Sequence, residues 1–193
     1  MAEVLLFHHC LGLTEGVAAF AGELRRAGHT VHTPDLYEGR TFEDLEAGVA
    51  HASEVGFDAL VERGVRAAEE LPEEIVYAGF SLGVLPAQKL AQTRPGALGA
   101  LLISACVPVN AFGAAWPDGV PAQVHGMDAD PFFVDEGDVD AARALVADAD
   151  DRRLFLYPGT SHLFAERGAP SYVPETAALC VERVLCFLSG LKR

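Results

Sequence analysis

The chain is short of basic residues, of long apolar runs and of closely spaced cysteines. It has 14 lysines and arginines against 28 aspartates and glutamates, a net charge of −14 over 193 residues. This balance argues against nucleic acid or an anionic membrane as a partner, because either would require a basic patch. No apolar run reaches the roughly 18 residues that a membrane-spanning helix needs. The four cysteines lack C-x-x-C spacing and are expected to be isolated thiols in a reducing compartment.

The composition that remains is typical of one ordered globular domain. Hydrophobic residues make up 50% of the chain and aromatic residues 8%, which is enough to enclose a single core. We therefore expect one domain over residues 1–193. The first residues begin a strand at once, with no charged leader before an apolar segment, and this predicts a cytoplasmic location.

Strand-like runs alternate with helical patterns along the whole chain. The strands are predicted near residues 3–8, 29–33, 74–78, 98–104, 122–126 and 153–157, and the helices near 14–27, 56–70, 83–93, 137–148 and 174–189. This alternation predicts an α/β fold, with a mostly parallel sheet of about six strands and helices on both faces. If the strand order is 2-1-3-4-5-6, the first and third strands are neighbours and a ligand binds at their carboxyl ends.

The most informative motif is Gly79-Phe80-Ser81-Leu82-Gly83, which follows an apolar run and precedes a helical pattern. It has the G-x-S-x-G form of a nucleophile elbow, a sharp strand-to-helix turn that exposes the serine hydroxyl. Glycines at both ends are expected because a side chain there would collide with the neighbouring strand or helix. A serine in an ordinary glycine-flanked loop is the alternative, so the interpretation depends on its partners.

Both partners of a Ser-His-Asp triad follow in the expected order. His162 lies in a loop just after the last predicted strand, where a general base could reach Ser81. The acid is expected after the fifth strand, where Asp128, Asp130 and Asp135 are candidates. We favour Asp130, because the following proline holds it in an extended conformation. Asp128 is the alternative. The carboxylate would orient the imidazole without accepting its proton.

Acyl transfer also needs two backbone donors for the developing oxyanion. The N–H of Leu82, directly after the serine, is the first candidate. The loop after the first strand should lie beside Ser81, so we predict the N–H of Cys10 as the second donor, with Leu11 as the alternative.

Three further residues are predicted to bind substrate: His9 and Leu11 in the first loop, and Trp116 in the segment 105–119, which we expect to form a pocket rim. Core packing is nearly as good an interpretation of Trp116. His8 and His9 do not form a convincing metal site, because adjacent strand residues point to opposite faces and no carboxylate motif accompanies them. We expect neither a metal nor a cofactor, and His8 is expected to pack at the strand end.

At this point the chain resembles the dienelactone hydrolase family of α/β-hydrolases, in a compact form. The matching segments are residues 5–9 with 12–14, 28–31, 34–40, 79–83 and 159–164. The Pro-Asp-Leu-Tyr stretch at 34–37 is the most family-specific of them. The resemblance covers nearly the whole chain, and it implies a hydrolase of small esters or lactones.

Three positions depart from the pattern of the best-known family members. Those members have a cysteine in the elbow and a glutamate in the first loop, where this chain has Ser81 and His9. They also have an arginine for the substrate carboxylate four residues after the histidine, where this chain has Glu166 followed by Arg167. A serine depends more strictly than a thiolate on its base, here His162. The missing arginine and the acidic surface argue against an anionic dienelactone as substrate.

The sequence therefore predicts a serine hydrolase whose partner is a small-molecule ester or lactone, acting as a monomer or homodimer. Two other functions stay open. The fold could serve in binding or sensing without turnover, since it hosts many functions. The same site could also serve an acyltransferase or thioesterase.

Overall fold

The computed structural model describes residues 1–113, 115–147 and 149–191. The strands are β1 (Glu3–Phe7), β2 (Thr30–His32), β3 (Val76–Phe80), β4 (Gly99–Ile103), β5 (Ala122–Met127) and β6 (Arg152–Tyr157). The helices are α1 (Glu15–Arg26), α2 (Leu45–Val55), α3 (Phe57–Ala67), α4 (Val84–Thr93), α5 (Pro131–Asp135), α6 (Asp138–Val146) and α7 (Pro174–Gly190).

The strands form one parallel sheet in the order β2-β1-β3-β4-β5-β6, which confirms the predicted fold class and strand order. Every residue of β3, β4 and β5 is buried, as expected where helices cover both faces of a sheet. β1 pairs directly with β3, with Phe7 opposite Gly79. The carboxyl ends of these two strands therefore meet, and Cys10 and Ser81 line the same cavity there.

Alternate side chains of the central strands enter two hydrophobic cores, one on each face of the sheet. On one face Leu5 and Tyr77 belong to a core shared with α3, α4 and α6. On the other face Leu6 and Ala78 belong to a core shared with α1 and α7. None of the helices in the described part of the chain has the length and apolar character needed to cross a membrane.

Two helices were not predicted, and one strand is displaced from its predicted position. α2 was not predicted, and only Gly48 and Ala52 of this helix are buried. α5 was missed because it has only five residues. β3 lies two residues later than the predicted 74–78: it begins at Val76, and Gly79 and Phe80 still pair with β4. The predicted helix over 137–148 corresponds to α6, and its last position, 148, lies outside the described residues.

Two buried histidines are expected to make the fold sensitive to acid. Burial lowers the pKa of His8 to about 4 and that of His125 to about 3. Each ring is held by hydrogen bonds: His8 Nε2 accepts from the Leu36 N–H at 2.9 Å, and His125 Nδ1 lies 2.9 Å from the Tyr157 hydroxyl. Between pH 6.5 and these values the unfolded chain binds more protons than the folded chain, so the free energy of unfolding falls as the pH falls.

The test compares the wild type with His125→Gln by denaturant unfolding between pH 4 and 6. The variant should take up about one proton fewer on unfolding than the wild type. The slope of its unfolding free energy against pH should therefore be lower by ~1.4 kcal/mol per pH unit. Asp138 has the opposite effect on this slope, because burial raises the pKa of its carboxyl to about 6. Its effect is the same in both proteins and cancels when their slopes are compared. Equal slopes for the two proteins would contradict the prediction, whatever their absolute stabilities.

Candidate active site

Ser81 lies in the predicted sharp turn between β3 and α4. Its φ of 46° is in the left-handed region, which is unusual for a residue other than glycine. Residues Ser81–Gly83 form a short 3-10 turn that leads directly into α4. A Cβ at Gly79 would lie 2.1 Å from the Gly83 carbonyl oxygen, and one at Gly83 would lie 2.6 Å from the carbonyl oxygens of Phe7 and His8. Both glycines are therefore required by the close approach of β3, α4 and the end of β1.

The Ser81 hydroxyl contacts the imidazole of His162. Ser81 Oγ lies 2.8 Å from His162 Nε2, and the imidazole is 8% exposed. The loop after β6 holds this histidine through its backbone, because Ser104 Oγ donates to the His162 carbonyl oxygen at 2.6 Å. The Phe132 ring packs against the imidazole, with ring centroids 4.8 Å apart. Ser104 directly follows β4 and had not been predicted to support the histidine.

Asp130, and not Asp128, meets the other side of the imidazole. Asp130 Oδ2 lies 2.7 Å from His162 Nδ1, and the carboxylate is fully buried. Asp130 is also the N-cap of α5, where its Oδ1 accepts from the Phe132 N–H at 3.1 Å. Asp128 is exposed and instead accepts a hydrogen bond from the Gly159 N–H at 3.0 Å. Asp135, the third candidate, is exposed within α5.

These contacts determine where the imidazole proton lies. An ionised carboxylate accepts hydrogen bonds and does not donate them, so His162 Nδ1 bears the proton. Nε2 is then free to accept a hydrogen bond from the Ser81 hydroxyl. Both distances, 2.8 Å and 2.7 Å, are within the normal range for hydrogen bonds. The arrangement can transfer a proton from the serine to the imidazole when the hydroxyl attacks an electrophile.

The two residues predicted to provide the oxyanion donors lie beside Ser81. Leu82 and Cys10 line the same cavity as Ser81. Leu11, the alternative donor, is not available for this purpose, because its N–H already donates to His9 Nδ1 at 3.2 Å. Burial raises the pKa of the Cys10 thiol to about 11, so this cysteine is no rival to the serine as a nucleophile.

The cavity in front of Ser81 has a volume of about 280 Å³. Much of its wall is apolar and comes from Leu45, Val49, Phe57, Leu85, Val107 and Phe132. Two carboxyl groups, Glu136 and Asp138, also line it, whereas no lysine or arginine of the described residues does. Burial, with a smaller contribution from Glu136, raises the pKa of Asp138 to about 6, although the Cys106 N–H donates to its Oδ2 at 3.0 Å.

Three residues predicted to bind substrate do not line this cavity. His9 is fully buried and its Nε2 lies 3.0 Å from a carboxylate oxygen of Glu166. Leu11 is 5% exposed and packs in a hydrophobic core. Trp116 packs in the same core, and its indole N–H donates to the Val120 carbonyl oxygen at 2.7 Å. The substrate-binding prediction for His9, Leu11 and Trp116 is therefore corrected. Glu166 holds the His9 ring, Leu11 packs in the core, and the ring and N–H of Trp116 are both satisfied there.

His8 also has no free ring nitrogen. Its Nδ1 donates to the His9 carbonyl oxygen at 2.7 Å, and its Nε2 accepts from the Leu36 N–H. The two adjacent histidines thus have separate structural partners, consistent with the expectation that His8 packs at the strand end.

Sequence reasoning missed the residues that α2 and the segment 136–138 contribute to the cavity wall. A signal for α2 was present, because Leu45, Val49 and Ala52 have the i, i+4, i+7 spacing of one helix face. Glu136 and Asp138 had no such signal, since they lie among many other acidic residues.

Solved structures share this fold at low sequence identity, and no curated protein matches the chain significantly. A candidate dienelactone hydrolase of Klebsiella pneumoniae is 17% identical, with a TM-score of 0.75 over 98% of this chain and 87% of the other. A dienelactone hydrolase-like promiscuous phosphotriesterase from metagenomic libraries is 16% identical, with a TM-score of 0.73 over 99% and 87%. A cold-adapted esterase from an Arctic intertidal metagenomic library is 19% identical, with a TM-score of 0.65 over 97% and 82%.

At these identities the structural likeness establishes the fold alone. The sequence adds the family, because it matches the profile of the dienelactone hydrolases over residues 1–191. Membership in this family supports hydrolase activity. On this match the chain belongs to the dienelactone hydrolase family.

Proposed function

We propose that the chain is a serine hydrolase that cleaves a small ester or lactone through an acyl-enzyme. The observation that supports this most strongly is the series of short contacts from Ser81 Oγ through the His162 imidazole to the buried Asp130 carboxylate, at the wall of a cavity. A hydroxyl, an imidazole and a carboxylate in this order are the parts that nucleophilic acyl transfer requires.

In the first half of the proposed reaction, Ser81 Oγ attacks the substrate carbonyl carbon while His162 Nε2 takes the hydroxyl proton. Asp130 stays ionised and stabilises the imidazolium that forms. The carbonyl oxygen becomes an oxyanion, which the N–H groups of Leu82 and Cys10 bind. When the tetrahedral intermediate collapses, the alkoxide leaves and takes the proton from His162. An ester bond now joins the acyl group to Ser81.

In the second half, water replaces the serine as the nucleophile. His162 takes a proton from the water as its oxygen attacks the acyl carbon, and the same N–H groups bind the second oxyanion. Collapse returns the proton to Ser81 Oγ and releases the acid. The same residue is thus the base and the acid in both halves.

The cavity favours a neutral or cationic substrate. Its apolar wall suits a short hydrocarbon acyl or alkyl group, and its charged lining consists of the Glu136 and Asp138 carboxyls. The net charge of −14 would also slow the approach of an anion. Glu166, at the position of the family's arginine, does not line the cavity, so nothing there replaces a carboxylate-binding group.

Three matched aryl butyrates test the activity and this preference together. The three esters differ only in the group at the end of the acyl chain, which is a methyl, a trimethylammonium or a carboxylate group. We expect turnover of the neutral and cationic esters, and at least about a 10-fold lower kcat/KM for the anionic ester, equivalent to ~1.4 kcal/mol. The discrimination should increase from pH 5.5 to 7.5 as Asp138 ionises. Glu136→Gln should reduce it.

The possible outcomes separate the two parts of the proposal. A wild-type protein that releases no phenol above the background rate from any of the three esters contradicts the hydrolase. Turnover with equal kcat/KM for the anionic and neutral esters leaves the hydrolase intact but contradicts the substrate class.

A further inference from the structure

Glu166 is a buried carboxylate that the proposed reaction does not use. It is 4% exposed and lies in the loop that presents His162, where its N–H donates to the Leu163 carbonyl oxygen at 3.0 Å. Burying a carboxylate is unfavourable unless hydrogen bonds and positive charge compensate it. Its partners therefore indicate what the side chain is held for.

The first partner is the N-terminus of α1. Thr14, the N-cap of this helix, donates its hydroxyl to Glu166 Oε1 at 2.5 Å, and Thr14 Oγ1 itself accepts from the Val17 N–H. A Cβ at Gly16 would lie 2.3 Å from Glu166 Oε1, so the absence of a side chain there makes room for the carboxylate. The partial positive charge of the helix N-terminus stabilises an anion at this place.

The second partner is His9, in the loop that follows β1. His9 Nε2 lies 3.0 Å from Glu166 Oε2, and both side chains are buried. The angle at Nε2 is outside hydrogen-bond geometry, so the contact is electrostatic rather than a linear hydrogen bond. On the other side of the ring, Nδ1 accepts from the Leu11 N–H at 3.2 Å. Nδ1 is thus unprotonated, and the ring proton lies on Nε2, the ring nitrogen that contacts the Glu166 carboxylate.

The tautomer of His9 controls the loop that holds Cys10. Only an unprotonated Nδ1 can accept from the Leu11 N–H, and that hydrogen bond spans the Cys10 residue between the two. The Gly12 N–H donates to the His9 carbonyl oxygen at 3.0 Å and closes the same turn. A proton on Nδ1 would put two donors opposite each other and break the contact.

We propose that Glu166 is a positioning residue for the oxyanion site. Its carboxylate keeps the His9 proton on Nε2, His9 Nδ1 then holds the Leu11 N–H, and this fixes the backbone of Cys10, whose N–H is the second oxyanion donor. Glu166 thereby joins the loop of the catalytic base to the loop of the oxyanion donor. Neither Glu166 nor His9 lines the cavity, so the effect is indirect. The inference rests on the proposed function.

The test uses Glu166→Gln together with two substitutions of His9. The amide of Asn occupies the place of Nδ1, so His9→Asn keeps an acceptor for the Leu11 N–H but loses the group that faces Glu166. The amide of Gln occupies the place of Nε2, so His9→Gln keeps that group but loses the acceptor. We expect kcat to fall about 10- to 100-fold in Glu166→Gln and in His9→Gln, with KM within about two-fold, because a displaced donor weakens transition-state binding. His9→Asn should retain most of the wild-type kcat.

The double variant Glu166→Gln/His9→Asn gives the sharpest result. Asparagine provides its acceptor whether or not residue 166 is charged, so the double variant should recover the kcat that Glu166→Gln loses. A residue that only stabilises the fold would show no such rescue. The melting temperatures of the four variants, compared with that of the wild type, report any loss of stability separately. Equal kcat in His9→Asn and His9→Gln overturns the inference, even where Glu166→Gln does not fold.

Amide hydrogen exchange tests the same inference without turnover. The Leu11 amide should exchange faster in Glu166→Gln and His9→Gln than in the wild type and remain protected in His9→Asn. Unchanged protection in both of the first two variants overturns the inference. A wild type without Ser81-dependent turnover would contradict the proposed function instead, and the exchange result would still decide the role of Glu166.

Discussion

Ser81→Ala is expected to lower kcat for the neutral aryl ester by about 10⁴- to 10⁶-fold, since removing a nucleophile from a cooperating triad eliminates the covalent route. The substitution keeps the Cβ and removes only Oγ, whose contact is His162 Nε2 at 2.8 Å. The fold should therefore be unaffected, and the melting temperature should remain close to that of the wild type. Residual catalysis would come from the cavity and the oxyanion donors alone.

A fluorophosphonate probe provides the second measurement for this variant. The wild type should gain one covalent adduct at Ser81, located by mass spectrometry, and Ser81→Ala should gain none. Ser189→Ala is the matched control, because that hydroxyl is exposed on α7 and donates to the Leu185 carbonyl oxygen. It should retain both turnover and labelling. Turnover that persists undiminished in Ser81→Ala would place the chemistry elsewhere, and an unlabelled wild type would indicate a site without an activated serine.

The sequence was sufficient to predict the fold and to single out Ser81, Asp130 and His162 because each lies within a few residues of a strand's carboxyl end. In a parallel sheet these ends share one edge, so strand order alone brings distant segments together. Ser81 additionally required glycines on both sides, and that requirement is visible as a local motif. Asp130 required the choice of one among three nearby aspartates, and the proline after it was an adequate guide, since it begins α5.

Side-chain direction was the part that the sequence could not supply. His9 lies only two residues after the first strand, yet it contacts Glu166, a residue far along the chain with no local signal linking the two. Trp116 looked suited to a pocket rim, but its N–H found a carbonyl oxygen four residues away and its ring entered the core. The wall that replaces these residues comes partly from α2, whose buried positions are small and therefore produce a weak periodic pattern.

Asp130→Asn is expected to lower kcat by about 10⁴-fold, because in a triad the corresponding change leaves the imidazole in the wrong tautomer. The structure indicates why the asparagine should direct its NH2 group, and not its oxygen, toward His162. Asp130 Oδ1 accepts from the Phe132 N–H at 3.1 Å at the start of α5, so an asparagine oxygen is retained there to cap the helix. Its NH2 group then faces His162 Nδ1, where the carboxylate oxygen lay at 2.7 Å.

A donor at that place stabilises an unprotonated Nδ1 and moves the imidazole proton to Nε2, which can then no longer accept the Ser81 proton. Asp128→Asn is the matched control on the same loop: its amide oxygen can still accept from the Gly159 N–H, and kcat should change less than about two-fold.

Because the base itself is intact, raising the pH should restore part of the activity of Asp130→Asn through hydroxide, with kcat increasing up to alkaline pH. Loss of activity in Asp128→Asn and full activity in Asp130→Asn would reverse the assignment of the acid, whereas full activity in both would mean that His162 works without an orienting carboxylate.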